Sequence, residues 1–530
     1  MGFDVSGVAG LRPGSTTGTA PVRPSLRRSA RWYGWFAVAG IGLSLIVMLV
    51  VSLGRASWMG PPLKMPADGP PFEITSLHLT LAFATWALWL SAIIGGLGLA
   101  AGLIAVRRGA RPSVRAILLA AGVVVAMLTV LPPVGSTDSL DYMAFGRMVV
   151  LGHSPYVMVP VDLRHMHDVV ATSIPWEWGR IPSSYGPAAT VEQYVAARLG
   201  GASAARIVFW LKVGNALAFG AVAYVADRLL RSDPAARLRA HLLWTINPLL
   251  IWQLIAAAHL DVLAAAAGML GLVLAAGWPR MPVPGQERLG RVLAGSMLVG
   301  LAADIKITFV LFALGLAWAF RHSIPACIVA GCGMLGVLLP SYAWFGRPAA
   351  EAVLNRGDRT TADNFYQLFA TDRHGFVMTH VDVIATAVGL GVAIVVLSRL
   401  PIRATTQPAI FVALGLSTAW LFTWQYQLPS YEAMIICLLI LVPACWLDWL
   451  VVIRLTAATV ALMPGNLTPP PTRLLARISL DDLTISVPLI LLGAAVALVV
   501  LCLTARGRPR GQAAISQPVQ PVRSAQPTSG

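Results

Sequence analysis

The sequence contains little charge for its length. Only 12% of its 530 residues are Asp, Glu, Lys or Arg, which is about half the fraction found in soluble domains. Because 57% of the residues are hydrophobic, a soluble globule of this composition would expose large apolar patches. An ordinary soluble enzyme is therefore excluded. The composition indicates a polytopic membrane protein, in which lipid covers the apolar surface.

Lysine, paired cysteines and nucleotide-binding motifs are also scarce. Three of the 39 basic residues are Lys, and the Arg residues cluster in short loops between apolar runs. That pattern is typical of a membrane protein fixing its orientation, so a nucleic-acid partner is not predicted. The five Cys residues lie in apolar runs without CxxC spacing, which indicates neither a disulfide framework nor a metal knuckle. The loops carry no phosphate-binding glycine motif, and this disfavours a nucleotide-driven pump or kinase.

Apolar runs predict an all-α protein with about 11 to 14 membrane spans. The first span, at about 32–53, has no small-residue cleavage site and is expected to be retained. The others are predicted at 77–105, 115–131, 205–226, 241–257, 261–277, 291–304, 306–320, 323–344, 381–398, 408–424, 429–447, 449–463 and 485–504. We therefore expect a disordered cytoplasmic segment at 1–31, a multispanning domain at 32–504 and a disordered tail at 505–530.

The distribution of basic residues predicts that both termini lie in the cytoplasm. In that orientation the inward-facing segments hold 23 Lys and Arg residues, whereas the longer outward-facing loops hold 12. The two longest loops, 132–204 and 345–380, then face outward. In a bacterial cell membrane this arrangement places any chemistry carried by these loops on the extracytoplasmic side.

The first candidate site follows the third predicted span. Asp138 and Asp141 stand close to the membrane surface, and they would share one face of a helix over 140–150. The amphipathic pattern of this helix predicts that it lies in the interface. A carboxylate at this boundary can take a proton from an acceptor hydroxyl. In the alternative interpretation Asp138 caps the helix and Asp141 stabilises its first turn.

Two later stretches place polar groups beside apolar runs. Tyr185-Gly186-Pro187 predicts a turn just before the fourth span, which is either structural or part of a site. His259 and Asp261 interrupt two apolar runs. They are either markers of a span boundary or polar groups that line a ligand site near the membrane core.

Two further stretches carry a lone cation and an aromatic cluster. Lys306 separates two half-length apolar segments, where it either pairs with Asp304 or meets a lipid phosphate. Trp424, Tyr426 and Tyr431 form either an interfacial aromatic belt or a flat platform for a sugar ring or a polyprenyl chain.

Taken in order, these motifs resemble those of bacterial polyprenol-phosphate-mannose-dependent α-1,6-mannosyltransferases, a family of the GT-C superfamily of multispanning glycosyltransferases. The matching stretches are Asp138-Ser139-Leu140-Asp141-Tyr142, Gly146-Arg147, Gly152-His153-Ser154-Pro155-Tyr156, Tyr185-Gly186-Pro187, Asn247-Pro248-Leu249, His259-Leu260-Asp261, Lys306 and the aromatic stretch from Trp424 to Pro429. The resemblance extends from about residue 131 to 443.

The resemblance implies a reaction and a set of site residues. A polyprenyl-phosphate-linked mannose would be the donor, and a cell-envelope glycolipid or polysaccharide would be the acceptor. Asp138 would act as the general base, and inversion would give an α-1,6 linkage. The substrate-binding residues would be Asp141, Tyr142, Arg147, Tyr185, His259, Asp261, Lys306, Trp424 and Tyr426. No cofactor is required; Asp138, Asp141 and His153 could gather a divalent ion, but no ligand spacing demands one.

Three alternatives stay open at this point. A transporter or flippase of a lipid-linked envelope precursor would share the spans and the intramembrane charges. A GT-C enzyme could use another polyprenyl-linked sugar. A non-catalytic scaffold is the third, because Leu260 replaces the Asn of the family's His-Asn-acidic triplet.

Overall fold

The computed structural model describes residues 24–54, 63–74, 76–174, 179–354, 360–369, 376–399, 407–462 and 472–504. All regular secondary structure in these ranges is helical. Of the two predicted disordered segments, residues 1–23 and 505–530 lie outside the described residues, as do parts of the loop at 345–380.

Twenty-one α-helices are described along the chain. The first eleven are α1 (Pro24–Leu53), α2 (Leu81–Arg107), α3 (Val114–Thr129), α4 (Asp138–Val150), α5 (Asp162–His165), α6 (Pro187–Gly200), α7 (Ala204–Leu229), α8 (Pro234–Ala240), α9 (Pro248–Ile251), α10 (Asp261–Ala276) and α11 (Leu289–Ile305). The others are α12 (Val310–Phe320), α13 (Ile324–Phe345), α14 (Arg347–Leu354), α15 (Phe376–Thr379), α16 (Val381–Arg399), α17 (Pro408–Thr423), α18 (Glu432–Leu439), α19 (Leu447–Ala461), α20 (Arg473–Asp481) and α21 (Val487–Thr504).

Short 3₁₀ and π-helical segments join several of these helices. The 3₁₀ segments are Ala171–Ser173, Ile307–Phe309, Phe365–Phe369 and Pro429–Tyr431, and the π segments are His241–Thr245, Trp252–Ala256 and Asp482–Ser486. Three of these segments lie at or near candidate site residues. The 3₁₀ segment at 307–309 directly follows Lys306, the one at 429–431 contains Tyr431, and the π segment at 252–256 precedes His259.

The chain is a multi-pass membrane protein. Six helices in the described residues are long and apolar enough to cross a membrane. A seventh candidate is the pair formed by 234–256 and 261–276, which is bent by 115°. Shorter apolar helices lie at 114–129, 307–320, 408–423 and 429–439. Every predicted span overlaps a helix in the described residues, so the all-α, multispanning part of the prediction is confirmed. The α-helix in the predicted span 429–447 ends at Leu439, and α1 begins at Pro24, before the predicted start of the first span.

Local sequence and packing against α7 together shape the segment that contains the 115° bend. Asn247 caps α9 by accepting from the backbone N–H groups of Leu249 and Leu250, and Pro248 begins the helix. At the end of the segment Ala258 adopts a left-handed φ of +59°. Asn215 of α7 donates to the backbone oxygens of Leu254 and His259 at 2.9 and 3.1 Å. A side chain of α7 therefore satisfies the carbonyls at the break, as backbone groups shielded from water require.

Helix α4, which the sequence predicts to lie in the interface, is almost wholly buried. Nine of its residues are buried, and it packs against α6 and α7. Gly146 permits this packing, since a Cβ there would come within 2.1 Å of the Gln193 backbone oxygen. The helix is thus fixed in position, and Asp138 at its first turn is fixed with it.

Candidate active site

Asp138 is the partly accessible carboxylate of a buried polar cluster. Its side chain is 20% exposed, whereas that of His259 is 1% exposed. Thr137, the N-cap residue of α4, makes no side-chain capping hydrogen bond. The Asp138 carboxylate instead receives the hydroxyl of Tyr142 at 3.3 Å. The carboxylate is therefore held in place by side chains while one part of it stays open to an incoming molecule.

Tyr142 links Asp138 to the turn before α6. Its hydroxyl lies 3.2 Å from the hydroxyl of Tyr185, and the two rings meet edge to face with centroids 5.1 Å apart. Tyr156 supports the same turn by donating to the Tyr185 carbonyl at 3.0 Å. Three tyrosines of the loop 132–204 thus form one continuous wall beside Asp138.

His259 reaches Asp138 from the bend that precedes α10. The Nδ1 atom of His259 lies 3.4 Å from Oδ2 of Asp138. Ala258, directly before it, adopts a left-handed backbone conformation. This conformation is uncommon for a residue with a Cβ, and it turns the chain sharply. His259 and Asp261 were predicted to be either boundary markers or a polar lining, and the structure places His259 against Asp138.

Lys306 forms a buried ion pair with Asp261. The Lys306 Nζ atom lies 2.6 Å from Oδ1 of Asp261, and the two side chains are 10% and 3% exposed. The ammonium also lies 3.6 Å from the centroid of the Tyr431 ring, a cation–π geometry. The suggested pairing with Asp304 is wrong: Lys306 has extended backbone after α11, so its side chain turns to Asp261.

The aromatic stretch after α17 forms a compact group next to Lys306. Trp420 stacks on Trp424 at 5.9 Å and on Tyr431 at 5.8 Å, while Tyr426 lies 6.3 Å from Tyr431. Tyr431, which touches the Lys306 ammonium, is the member that joins the group to the cluster. The sequence offered Tyr431 as part of an aromatic belt or platform, but the substrate-binding residues implied by the resemblance did not include it.

A buried ion pair holds this aromatic group against α19. Arg454 contacts the carboxylate of Glu432 and the side-chain oxygen of Gln427. It also donates to the Leu421 carbonyl at 3.0 Å. Glu432 directly follows Tyr431 in the chain, so the pair fixes both ends of the turn that carries Trp424 and Tyr426.

Gly186 allows the turn at 185–187 to meet the break at 304–306. A Cβ at Gly186 would lie 1.6 Å from the backbone oxygen of Asp304, and its N–H donates to the Ile305 carbonyl at 3.3 Å. No side chain fits there. This contact brings Tyr185 and Lys306 into one site, and it explains the small residue before Pro187.

Two predicted site residues are placed differently. Arg147 donates to both carboxylate oxygens of Asp168, from Nε to Oδ1 at 3.2 Å and from Nη2 to Oδ2 at 2.8 Å, and it stands nine residues beyond Asp138, about 13 Å along α4. The structure thus gives Arg147 a role in holding the loop 132–204 and does not bring it to the cluster. Asp141 is buried in the packed part of α4, with 6% of its surface exposed.

The environment of Asp138 favours its ionised form. Burial opposes ionisation, but the hydrogen bond and charge of His259, the Ser136 hydroxyl and the charge of Lys306 outweigh it and lower the pKa of Asp138. Burial, with the neighbouring Tyr185 and the nearby carboxylates, raises the pKa of Tyr142 well above its ordinary value. At neutral pH the site therefore presents a carboxylate acceptor beside a protonated phenol.

Replacing His259 by Asn should move the pH dependence of any reaction that uses Asp138 as a base. The substitution removes a group that lowers the pKa of Asp138, so that pKa should rise. A base works only when deprotonated, hence the acid limb of kcat/KM should shift to higher pH. The rate measured from pH 4 to 8 checks this. An unchanged acid limb would show that His259 does not act on Asp138.

The fold and this site together define a class: a multi-pass, all-helical membrane protein with an accessible carboxylate, a buried ammonium and an aromatic group gathered at one end of the bundle. Residues 37–322, more than half of the chain, match the model of a family described as "Alpha-(1->6)-mannopyranosyltransferase, N-terminal domain". The chain belongs to this family. The resemblance inferred from the motifs is confirmed.

Two curated relatives carry the same description. A probable alpha-(1->6)-mannopyranosyltransferase of Mycolicibacterium smegmatis is 26% identical over 237 residues, which cover 40% of this chain and 41% of the relative. Alpha-(1->6)-mannopyranosyltransferase B of Corynebacterium glutamicum is 30% identical over 162 residues, which cover 29% of this chain and 25% of the relative. The matched part of the chain thus spans less than half the length of either relative.

Two solved structures are also similar. Both are ArnT from Cupriavidus metallidurans, one bound to undecaprenyl phosphate and one in the apo state. The identities are 16% and 14%, the TM-score is 0.38 for each, and 73% of this chain is covered. The alignments cover 77% and 76% of the two ArnT chains.

Proposed function

We propose that this protein transfers mannose from a polyprenyl-phosphate donor to a hydroxyl of a cell-envelope glycolipid or polysaccharide. The observation that carries the proposal is the position of Asp138: an ionised, partly exposed carboxylate, held by Tyr142 and His259, in a chain of the mannopyranosyltransferase family. The reaction forms an α-1,6 linkage with inversion at the anomeric carbon.

Asp138 serves as the general base. Its carboxylate accepts the proton of the acceptor hydroxyl while the hydroxyl oxygen attacks the anomeric carbon of the mannose. The new bond joins that oxygen to C1, and the bond between C1 and the phosphate oxygen breaks. Polyprenyl phosphate leaves with the electron pair, so a β-linked donor gives an α-mannoside. The Tyr142 hydroxyl, which donates to Asp138, orients the carboxylate for this step.

Lys306 supplies positive charge for the leaving phosphate. Its ammonium is buried beside Asp261 and Tyr431, where few water molecules compete for it. Charge that develops on a departing phosphate is stabilised most by a cation already in place. Asp261 holds the ammonium until the donor arrives, and a phosphate oxygen then shares it.

The aromatic group formed by Trp420, Trp424, Tyr426 and Tyr431 contributes a flat apolar surface beside Lys306. Such a surface suits the apolar face of a sugar ring or the first isoprene units of the donor. We assign the stretch from Trp424 to Tyr431 to donor binding on this basis. Arg147, paired with Asp168, is left out of the reacting site.

The reaction takes place on the extracytoplasmic side, with both termini in the cytoplasm. The positive-inside distribution supports this orientation, because the site is built largely from loop 132–204 on the side with fewer basic residues. The donor needs no nucleotide at that side, since its phosphodiester is already activated.

Transfer of label tests the proposal. Membranes that contain the protein are given polyprenyl-phosphate-mannose labelled in the sugar, alongside membranes that lack it. We expect label to move into an acid-stable glycolipid only when the protein is present. Label that stays on the donor, while polyprenyl-linked glucose or arabinofuranose is consumed, would overturn mannose as the donor sugar. If no label is transferred from any of these donors, the proposal that the protein is an enzyme would be overturned and a transporter would be favoured.

A further inference from the structure

A cavity lies at the end of the bundle opposite the Asp138 site. Its volume is about 550 Å³, and residues at the ends of α2, α7 and α8 line it. Helix α10 connects the two ends, because it begins at Asp261 in the site and is followed by Trp278 in the cavity wall. The 16 residues of α10 span about 24 Å. The cavity is therefore separate from the catalytic cluster.

The cavity joins apolar walls to a basic lining. Leu103, Leu229 and Leu441 contribute to the walls, and Arg107, Arg111 and Arg239 lie among the lining residues. Helices α2 and α7 end beside it with Arg107 and Leu229. An opening at helix ends lies at the level of lipid headgroups, and apolar walls extending from it match acyl chains.

The charges that line the cavity leave an excess of positive charge. Arg107 and Arg239 converge on one buried carboxylate, that of Asp448, with contacts of 3.4 Å from Arg107 Nη2 and 2.8 Å from Arg239 Nε. Asp233 uses one oxygen to accept two N–H groups at the start of α8. Arg111 donates to the carbonyl of the preceding residue at 3.2 Å, and no carboxylate among the described ion pairs balances it.

We propose that this cavity binds an anionic phospholipid, with the phosphate at Arg111 and Arg107 and the first acyl carbons between the leucines. Basic pockets between membrane helices on the cytoplasmic side suit such headgroups, and Arg presents forked donors that match phosphate oxygens. The combined charge and apolar wall distinguishes this ligand from a free anion, which needs no apolar wall. The lipid holds the ends of α2 and α8 together, and it takes no part in sugar transfer.

Native mass spectrometry of the full-length protein tests this site. The protein in detergent is titrated with phosphatidylglycerol or, at equal concentrations, with zwitterionic phosphatidylcholine. We expect one phosphatidylglycerol to bind at least about ten times more tightly than phosphatidylcholine. Two variants should abolish this preference: Arg111→Gln removes a guanidinium that has no ion-pair partner among the described residues, and Ala236→Phe fills the cavity without changing charge.

Arg115→Gln is the matched control. Arg115 is exposed near the start of α3, at the same end of the bundle, and does not line the cavity; its variant should keep the preference. Equal binding of both lipids would overturn the proposal, as would a preference that survives in both cavity variants. If Arg115→Gln loses the preference to the same extent, general surface charge selects the lipid and the cavity does not. Displacement of phosphatidylglycerol by inorganic phosphate at the same concentration would mean a small-anion site.

Discussion

Replacing Asp138 by Asn should lower mannose transfer by about 10²–10⁴-fold, the range that a positioned general base contributes. Asn keeps the size of the side chain and an oxygen that can accept from Tyr142, but it cannot take the acceptor's proton. The protein should still fold, because the Asp138 carboxylate is 20% exposed and makes no buried ion pair with Lys or Arg in the described residues. Initial rates in membranes matched for protein level measure the effect.

Asp162→Asn supplies the control for this substitution. Asp162 lies on α5 in the same loop, 132–204, and its side chain is 41% exposed. It accepts from the Val159 N–H at 3.1 Å, a bond that Asn can also make, so transfer should stay near the wild-type rate. An Asp138→Asn protein that retains wild-type transfer would remove Asp138 from the mechanism. A thermal midpoint that drops with Asp138→Asn would instead indicate a structural role.

Replacing Lys306 by Gln should lower transfer by about 10²–10³-fold, as expected when a preorganised charge at a developing anion is removed. The substitution takes away the ammonium that lies 2.6 Å from Asp261 and 3.6 Å from the Tyr431 ring centroid. It also leaves the buried Asp261 carboxylate without its partner, which typically costs about 3–5 kcal/mol of stability. Transfer and thermal unfolding must therefore be measured together.

The double variant Lys306→Gln with Asp261→Asn separates these two effects. It removes both members of the pair, so the uncompensated charge is gone and the thermal midpoint should recover towards that of the wild type. Transfer should stay low, because the leaving phosphate still lacks its cation. Lys64→Gln, at an exposed residue of the loop before α2, should leave both quantities unchanged. Recovery of transfer in the double variant would contradict the role assigned to Lys306.

The spans were predictable because the signal for them is local. Each apolar run in the sequence corresponds to a helix, since lipid requires every backbone group in a span to be satisfied within its own segment. The bend at 247–260 was less visible. Asn247-Pro248 predicts a helix start, but the left-handed Ala258 and the support from Asn215 depend on packing against α7.

The composition of the site was predictable in part. The resemblance carried by the motif order implied one site for a set of residues, and the structure brings these distant segments together. They are Asp138, Tyr142, Tyr185, His259 and Lys306. That assembly rests on the resemblance, because spacing in the sequence cannot reveal which loops meet. Gly186 is the one local signal: its lack of a side chain is what the close approach to Asp304 requires.

The partners of the charged residues were not predictable. Lys306 was suggested to pair with Asp304, two residues away, but the extended backbone at the end of α11 directs it to Asp261. Arg147 was expected to bind substrate, and it pairs with Asp168 within the loop 132–204. Ion pairs between residues far apart in sequence follow from tertiary packing, which a single sequence with loosely spaced motifs does not specify.

The anomeric configuration of the product tests the central claim most directly. Purified protein in liposomes is given polyprenyl-phosphate-β-mannose labelled with ¹³C at C1 and a mannoside acceptor, and the one-bond C1–H1 coupling of the product is measured by NMR. Direct attack by an acceptor deprotonated at Asp138 predicts an α-linked product, joined to the 6-hydroxyl. A β-linked product, or ¹³C that remains entirely on the donor, would contradict single-step inverting transfer.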